Sequence, residues 1–245
     1  MTAARISSRL VRARDALVVQ AGPVAAAIAI LLVGWSAVEI VCWPLGMLAH
    51  ALQPFVDEPV FTWTQTVLPS QGPLASVAGT VMTMGDSVPV GVVTIVASVL
   101  LAFLWRRRIW WVPPLLLLTA FVSELVLQKM LQLLVDRGHP PTAVGSYPSG
   151  GSARVVAIYG LVLFLILLTW PGIRPRRRIL GWIVVAGLAL AEGLARLVML
   201  QHWATDVLGG WAFGTLLLLV TIAAASAFVA RSAGRDPASV GSQRQ

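Results

Sequence analysis

Residues 87–105 read SVPVGVVTIVASVLLAFLW, a stretch without a charged side chain, and it runs directly into Arg106, Arg107 and Arg108. A bilayer core about 30 Å thick is crossed by roughly 20 apolar residues in a helix. The segment therefore reads as a membrane span stopped by a cationic anchor. Comparable runs occupy 20–43, 109–135, 152–170, 179–200 and 205–229. The whole chain shares this character: of 245 residues 58% are apolar and only 11% charged, with a mean hydropathy of +0.83. A soluble domain carries about 25% charged residues. The expected fold is all-α, an integral membrane bundle of six transmembrane helices.

The net charge is +8, and its placement decides what it means. Fourteen of the 18 basic residues fall in four clusters outside the spans: Arg5, Arg9, Arg12 and Arg14; Arg106 to Arg108; Arg174 and Arg176 to Arg178; and Arg231, Arg235 and Arg244. Cytoplasmic loops hold the Lys/Arg excess of membrane proteins. Six spans put all four clusters on one side, with N- and C-termini cytoplasmic and the protein in the cell membrane. The basic excess is then topogenic and implies no nucleic-acid partner; the bilayer is the expected partner, and protein partners cannot be read from the chain.

The organisation follows. Residues 1–19 read as a basic cytoplasmic segment, 20–229 as one six-helix membrane domain, and 230–245 as a polar, disordered cytoplasmic tail. A basic start followed by an apolar run imitates a signal peptide. The run is long enough to span, however, and Cys42 to Gly46 offers no small-x-small cleavage pattern, so it reads as a retained anchor. In the first outside loop, 44–86, the mixture of aromatic, acidic and apolar residues over 55–63 suits short interfacial helices. The second outside loop, 136–151, is rich in Gly, Pro and Ser, and the third, 201–204, is a tight turn.

Four basic residues remain: Lys129, Arg137, Arg154 and Arg196. All sit within or near the outer halves of spans three to five, where an ionisable side chain is costly without a polar cavity and partners. Together with His139, His202, Asp136 and Asp206 in the same layer, they predict an anion-binding pocket. Each cation alone has a plainer reading as a residue snorkelling to the headgroups. Glu192 and Arg196, four residues apart, could simply pair along a helix, and Glu124, Gln128 and Lys129 could form a purely structural network.

Two backbone features favour the pocket. Tyr147-Pro148-Ser149-Gly150-Gly151-Ser152 brings two glycines to a helix mouth, where main-chain N–H groups can approach an oxyanion. In the second, His202 is followed four residues later by Asp206. A carboxylate at that spacing can fix the imidazole tautomer and stabilise its cation, freeing the other nitrogen as nucleophile or base. The plainer alternative is a pair that caps the last helix. Three scattered histidines and one cysteine give no metal-ligand spacing, and no metal or other cofactor is expected.

The run Arg196-x5-His202-x3-Asp206, continuing Val207-Leu208-Gly209-Gly210, resembles the third signature of the type 2 phosphatidic acid phosphatase and vanadium haloperoxidase superfamily. Pro148-Ser149-Gly150 resembles the second signature and Val135-Asp136-Arg137-Gly138-His139-Pro140 the first, with order, spacing and layout agreeing over about 53–229. The resemblance implies a metal-independent membrane phosphatase acting on a lipid phosphate. His202 would form a phosphohistidine, Asp206 would orient it, and Arg196, Arg137, Ser149, Gly150, Gly151, His139 and Gln132 would surround the phosphate.

The chain departs from the family pattern where charge is needed. The signature Lys and Arg positions of the first motif are Gln132 and His139, and the general-acid His of the second is Gly151. Lys129 and Arg154, each about one turn away, are candidates to compensate. Two functions are therefore expected in competition. One is a phosphatidate or isoprenoid phosphate phosphatase or phosphotransferase at the extracytoplasmic face. The other is a catalytically weak or inactive relative that binds the lipid phosphate or assists a partner.

Overall fold

The computed structural model describes residues 3–68, 71–107, 109–143 and 145–233. Arg108, Arg235, Arg244 and most of the expected C-terminal tail lie outside the described residues, as do the side chains of Arg5, Arg9 and Arg231. The described residues form helices and connecting turns. In order these are α1 (Ala3–Leu52), α2 (Glu58–Val67), α3 (Pro73–Met82), α4 (Ser87–Leu104), α5 (Val112–Val135), α6 (Gly150–Arg154), α7 (Gly160–Thr169), α8 (Pro175–Val198) and α9 (Ala204–Ala233). A π-helical turn, Val155–Tyr159, joins α6 to α7, so Gly150–Thr169 runs as one span. Six helical segments are long and apolar enough to cross a membrane, and they coincide with the six expected runs. The chain is a multi-pass integral membrane protein.

Packing divides the chain into two units. Among the described residues, one comprises 3–35 and 219–233. Within it Gly22 leaves the helical path of α1 at φ 82°, just before Pro23. Gly34 lies tight against Val220, and Arg14 donates to Ser226 Oγ at 3.2 Å. The other unit, Ser36–Leu218, holds α2 to α8 with the adjoining parts of α1 and α9.

The first outside loop does carry short helices, α2 and α3, but it begins later than the apolar run suggests. Helix α1 continues through Pro44 to Leu52 and passes by a π-helical turn, Gln53–Asp57, into α2. A proline removes one helical hydrogen bond, yet tertiary packing offsets the loss. Ala49 joins Val135 and Tyr147 in a buried cluster, and Gly46 sits where any side chain would collide with Val135 and Tyr147.

The chain reverses after α5 through two left-handed residues, Asp136 (φ 42°) and Gly138 (φ 75°), and leaves α8 through Leu200 (φ 54°). Gly usually takes such a position after a helix, and Asp is among the few side-chain-bearing residues that visit it. Both turns lie at the same end of the bundle as the Tyr147–Ser152 segment. Tyr147 anchors that segment by donating its hydroxyl to the Cys42 carbonyl at 3.1 Å. Burial, reinforced by Cys42 and Asp206 nearby, pushes its phenol up and keeps it a donor;.

Candidate active site

His202 stands in the tight turn between α8 and α9, buried, with Nδ1 3.4 Å from Asp206 Oδ2. Asp206 belongs to the first turn of α9, where its charge is favoured by the helix dipole. The Trp203 backbone N–H donates to the same Oδ2 at 3.1 Å. The third-signature spacing thus delivers an imidazole oriented by a fixed carboxylate.

Behind this pair lies a buried ionic group. Arg137 Nη2 is 2.5 Å from Asp57 Oδ2, and Arg137 Nη1 is 3.5 Å from Asp206 Oδ1. Nη1 also donates to Thr205 Oγ1 at 2.7 Å. Thr205 in turn donates to Asp57 from its backbone N–H (2.9 Å) and its hydroxyl (2.7 Å). All three charged side chains are fully buried. Arg137 is therefore matched by two carboxylates, one of them carried in from the π-helical turn that follows α1.

The segment 148–152 joins this group to a second one. The Ser149 N–H donates to the Asp206 carbonyl at 2.9 Å. Ser149 Oγ and Ser152 Oγ are 3.1 Å apart, and Ser152 Oγ donates to Glu192 Oε2 at 2.9 Å. Glu192 Oε1 accepts from Arg196 Nε one turn along α8. Arg196 Nη2 then donates to Asp86 Oδ1 at 2.9 Å and approaches the Met82 carbonyl at 3.4 Å. The guanidinium lies flat against Gly151: a β-carbon built there would overlap Nη2, Cζ and Nε. The space beside position 151 is filled by the Arg196 guanidinium.

The remaining candidates divide cleanly. Gly150 packs against the Gln128 amide, which donates to the Pro148 carbonyl at 3.3 Å. Lys129 is exposed, its Nζ 3.5 Å from Gln132 Oε1. His139 is exposed, with Nδ1 2.9 Å from the Pro140 carbonyl. Arg154 donates from Nε to the Gly85 carbonyl at 2.8 Å and from Nη1 to Glu124 at 3.2 Å. The fold thus brings together His202, Asp206, Arg137, Ser149, Gly150, Gly151 and Arg196. Lys129, Gln132 and His139 make their contacts elsewhere, whereas Arg154 holds the Gly85 carbonyl beside Asp86 and pairs with Glu124.

Asp57, Asp86 and Thr205 were not singled out from the sequence. Each carried a faint signal: an acid within an aromatic and apolar loop, an acid abutting a charge-free span, and a hydroxyl beside the third-signature aspartate. The intrahelical Glu192–Arg196 pair was foreseeable from spacing and is present.

Access to His202 is narrow. Gly145 passes over its ring so closely that a β-carbon there would stand 2.5 Å from Cε1 and 2.7 Å from Nε2. A cavity of about 10 Å³, roughly water-sized, is lined by Asp57, Phe61, Leu197, Leu200, His202 and Trp203 among others. Among the described residues no three His, Cys, Asp or Glu side chains gather as a metal would require.

The family model described as the PAP2 superfamily matches residues 24–229, with all of these groups inside it. The chain belongs to the PAP2 superfamily. This PAP2 chain is 28% identical over 120 residues to the Bacillus subtilis protein named phosphatidylglycerophosphatase B, a match covering 46% of the chain and 58% of that relative. It thus spans little more than half the length of the curated relative it matches. The crystal structure of a transmembrane PAP2 type phosphatidylglycerolphosphate phosphatase from Bacillus subtilis superposes with a TM-score of 0.64 at 21% identity. The superposition covers 80% of the PAP2 chain and 96% of the other. The six-helix architecture is therefore the PAP2 fold.

Proposed function

We propose that this protein is a membrane lipid-phosphate phosphatase or phosphotransferase working through a phosphohistidine at His202. The observation that carries the reading is the His202–Asp206 pair, 3.4 Å apart, with Asp206 held by the Trp203 N–H and the Arg137 charge. An imidazole gripped at Nδ1 offers Nε2 to phosphorus, and a fixed anion stabilises the cation that forms as it attacks. Phosphoryl transfer asks chiefly for positioning and charge neutralisation. Here Arg196 and the amides of 149–151 would take the phosphate oxygens, and water would then cleave the P–N bond. Neither step uses a metal or cofactor.

The lipid class is a phosphatidate, phosphatidylglycerophosphate or isoprenoid phosphate, the second suggested by the name of the Bacillus relative. The face is extracytoplasmic, because the Arg-rich ends of the spans belong in the cytoplasm. Phosphate release from these lipids by the purified full chain, run beside His202→Ala, tests the reading. Turnover that survives His202→Ala removes His202 as the nucleophile.

A second reading has its own support. The missing acid at Gly151, with Arg196 filling its space, favours a relative that binds lipid phosphate with little or no turnover. Tight binding of those lipids without phosphate release, and without any trapped phosphohistidine, would select it.

A further inference from the structure

Resting on the phosphohistidine reading, we propose that Asp86 supplies the acid–base function that Gly151 lacks: it protonates the leaving alkoxide and afterwards activates water.

Three observations converge on this side chain. First, Arg196 stands between Gly151 and Asp86: the guanidinium overlaps the β-carbon position of residue 151 and donates to Asp86 Oδ1 at 2.9 Å. Asp86 therefore adjoins the volume that a side chain at 151 would otherwise enter, reached from another helix. Second, backbone geometry holds it there. Asp86 is the residue before α4, with extended φ/ψ (−67°, 148°), and its N–H donates to the Thr83 carbonyl at 3.1 Å. Third, it is the accessible carboxylate of the pair that Arg196 holds. The Asp86 side chain is 45% exposed, whereas Glu192 is fully buried with both oxygens occupied, by Arg196 Nε and Ser152 Oγ. A proton shuttle must exchange with solvent and product, and Glu192 cannot. Glu124 is committed to Arg154, and exposed His139 contacts its own loop carbonyl.

The cycle balances. A phosphate arriving at Arg196 meets the Asp86 carboxyl at the same Nη2, so the acid and the leaving group share one guanidinium. As His202 Nε2 bonds to phosphorus and the P–O bond to the lipid breaks, the Asp86 proton passes to the alkoxide oxygen, and the alcohol leaves. The carboxylate then takes a proton from water while that oxygen attacks phosphorus. The P–N bond breaks, inorganic phosphate departs, and both His202 and the Asp86 acid are restored.

The test uses two substrates with the full chain in detergent: dioctanoyl phosphatidate, whose alkoxide must be protonated to leave, and p-nitrophenyl phosphate, whose phenolate leaves without a proton. Asp86→Asn should lower phosphatidate turnover about 10²- to 10⁴-fold, the range for loss of a general acid, and nitrophenyl phosphate turnover less than about tenfold. Asp86→Glu should restore part of the phosphatidate rate. Equal losses on both substrates would make Asp86 a structural or phosphate-holding group, and unchanged or raised turnover in Asp86→Asn would make it a competitor for Arg196; either overturns the proposal. His202→Ala must abolish both reactions. If it does not, or if the native chain turns over neither substrate, the phosphohistidine reading itself fails and takes the role of Asp86 with it.

Discussion

Arg196 and Gly151 share one volume: the guanidinium rests where a β-carbon at position 151 would have to be. Arg196 is held there by Glu192 on its own helix and by Asp86 at the start of α4. The glycine is thus not an empty family position but one half of a packed contact. Placing any side chain at position 151 requires moving an arginine that two carboxylates hold.

Gly151→His and Gly151→Ala should therefore both lose function rather than gain it. Overfilling a packed site costs about 1–3 kcal/mol, and displacing Arg196 also removes the proposed phosphate contact. Thermal unfolding in detergent and phosphate release, measured together, check this. A Gly151→His variant with higher turnover would show that Arg196 moves freely.

Asp57→Ala should be among the most destabilising single changes in the loop regions. It leaves the fully buried Arg137 facing Asp206 alone and strips Thr205 of two hydrogen bonds. Removing one partner of a buried pair costs about 3–5 kcal/mol. A double-mutant cycle with Arg137→Ala should show strong non-additivity; additive losses would mean the two residues act independently.

Arg154→Ala should behave differently from Arg196→Ala. It strands the buried Glu124, so a stability loss of about 3–5 kcal/mol is expected, with activity falling only as far as the folded fraction falls. Arg196→Ala should reduce turnover per folded molecule. Specific activity normalised to folded protein separates the two.

Gly145→Val should lower turnover per folded molecule as well as costing about 1–3 kcal/mol of stability. The added side chain would meet the Cε1 and Nε2 edge of His202 and the Gln201 carbonyl, 2.6 Å from the β-carbon position. Phosphohistidine trapping at short times should fall in step. Undiminished trapping would show that phosphate reaches Nε2 from another side.

Much of this protein was legible in its composition and spacing. The charge-free run at 87–105 and its five counterparts specify six membrane helices, because a bilayer core admits little else. His202, in the turn, and Asp206, in the first turn of α9, find each other across four residues, and Glu192 and Arg196 do so within α8. Local periodicity alone makes such pairs readable.

Which charges neutralise which was settled by how the helices pack. Asp57 meets Arg137 across 80 residues, and Asp86 meets Arg196 across 110. In a low-dielectric interior every buried charge must be matched, but the sequence does not say by whom. The physical reason is that long-range pairing depends on how helices pack. Here that packing turns on close approaches at Gly46, Gly145 and Gly151, where the missing side chain lets a distant one occupy its space.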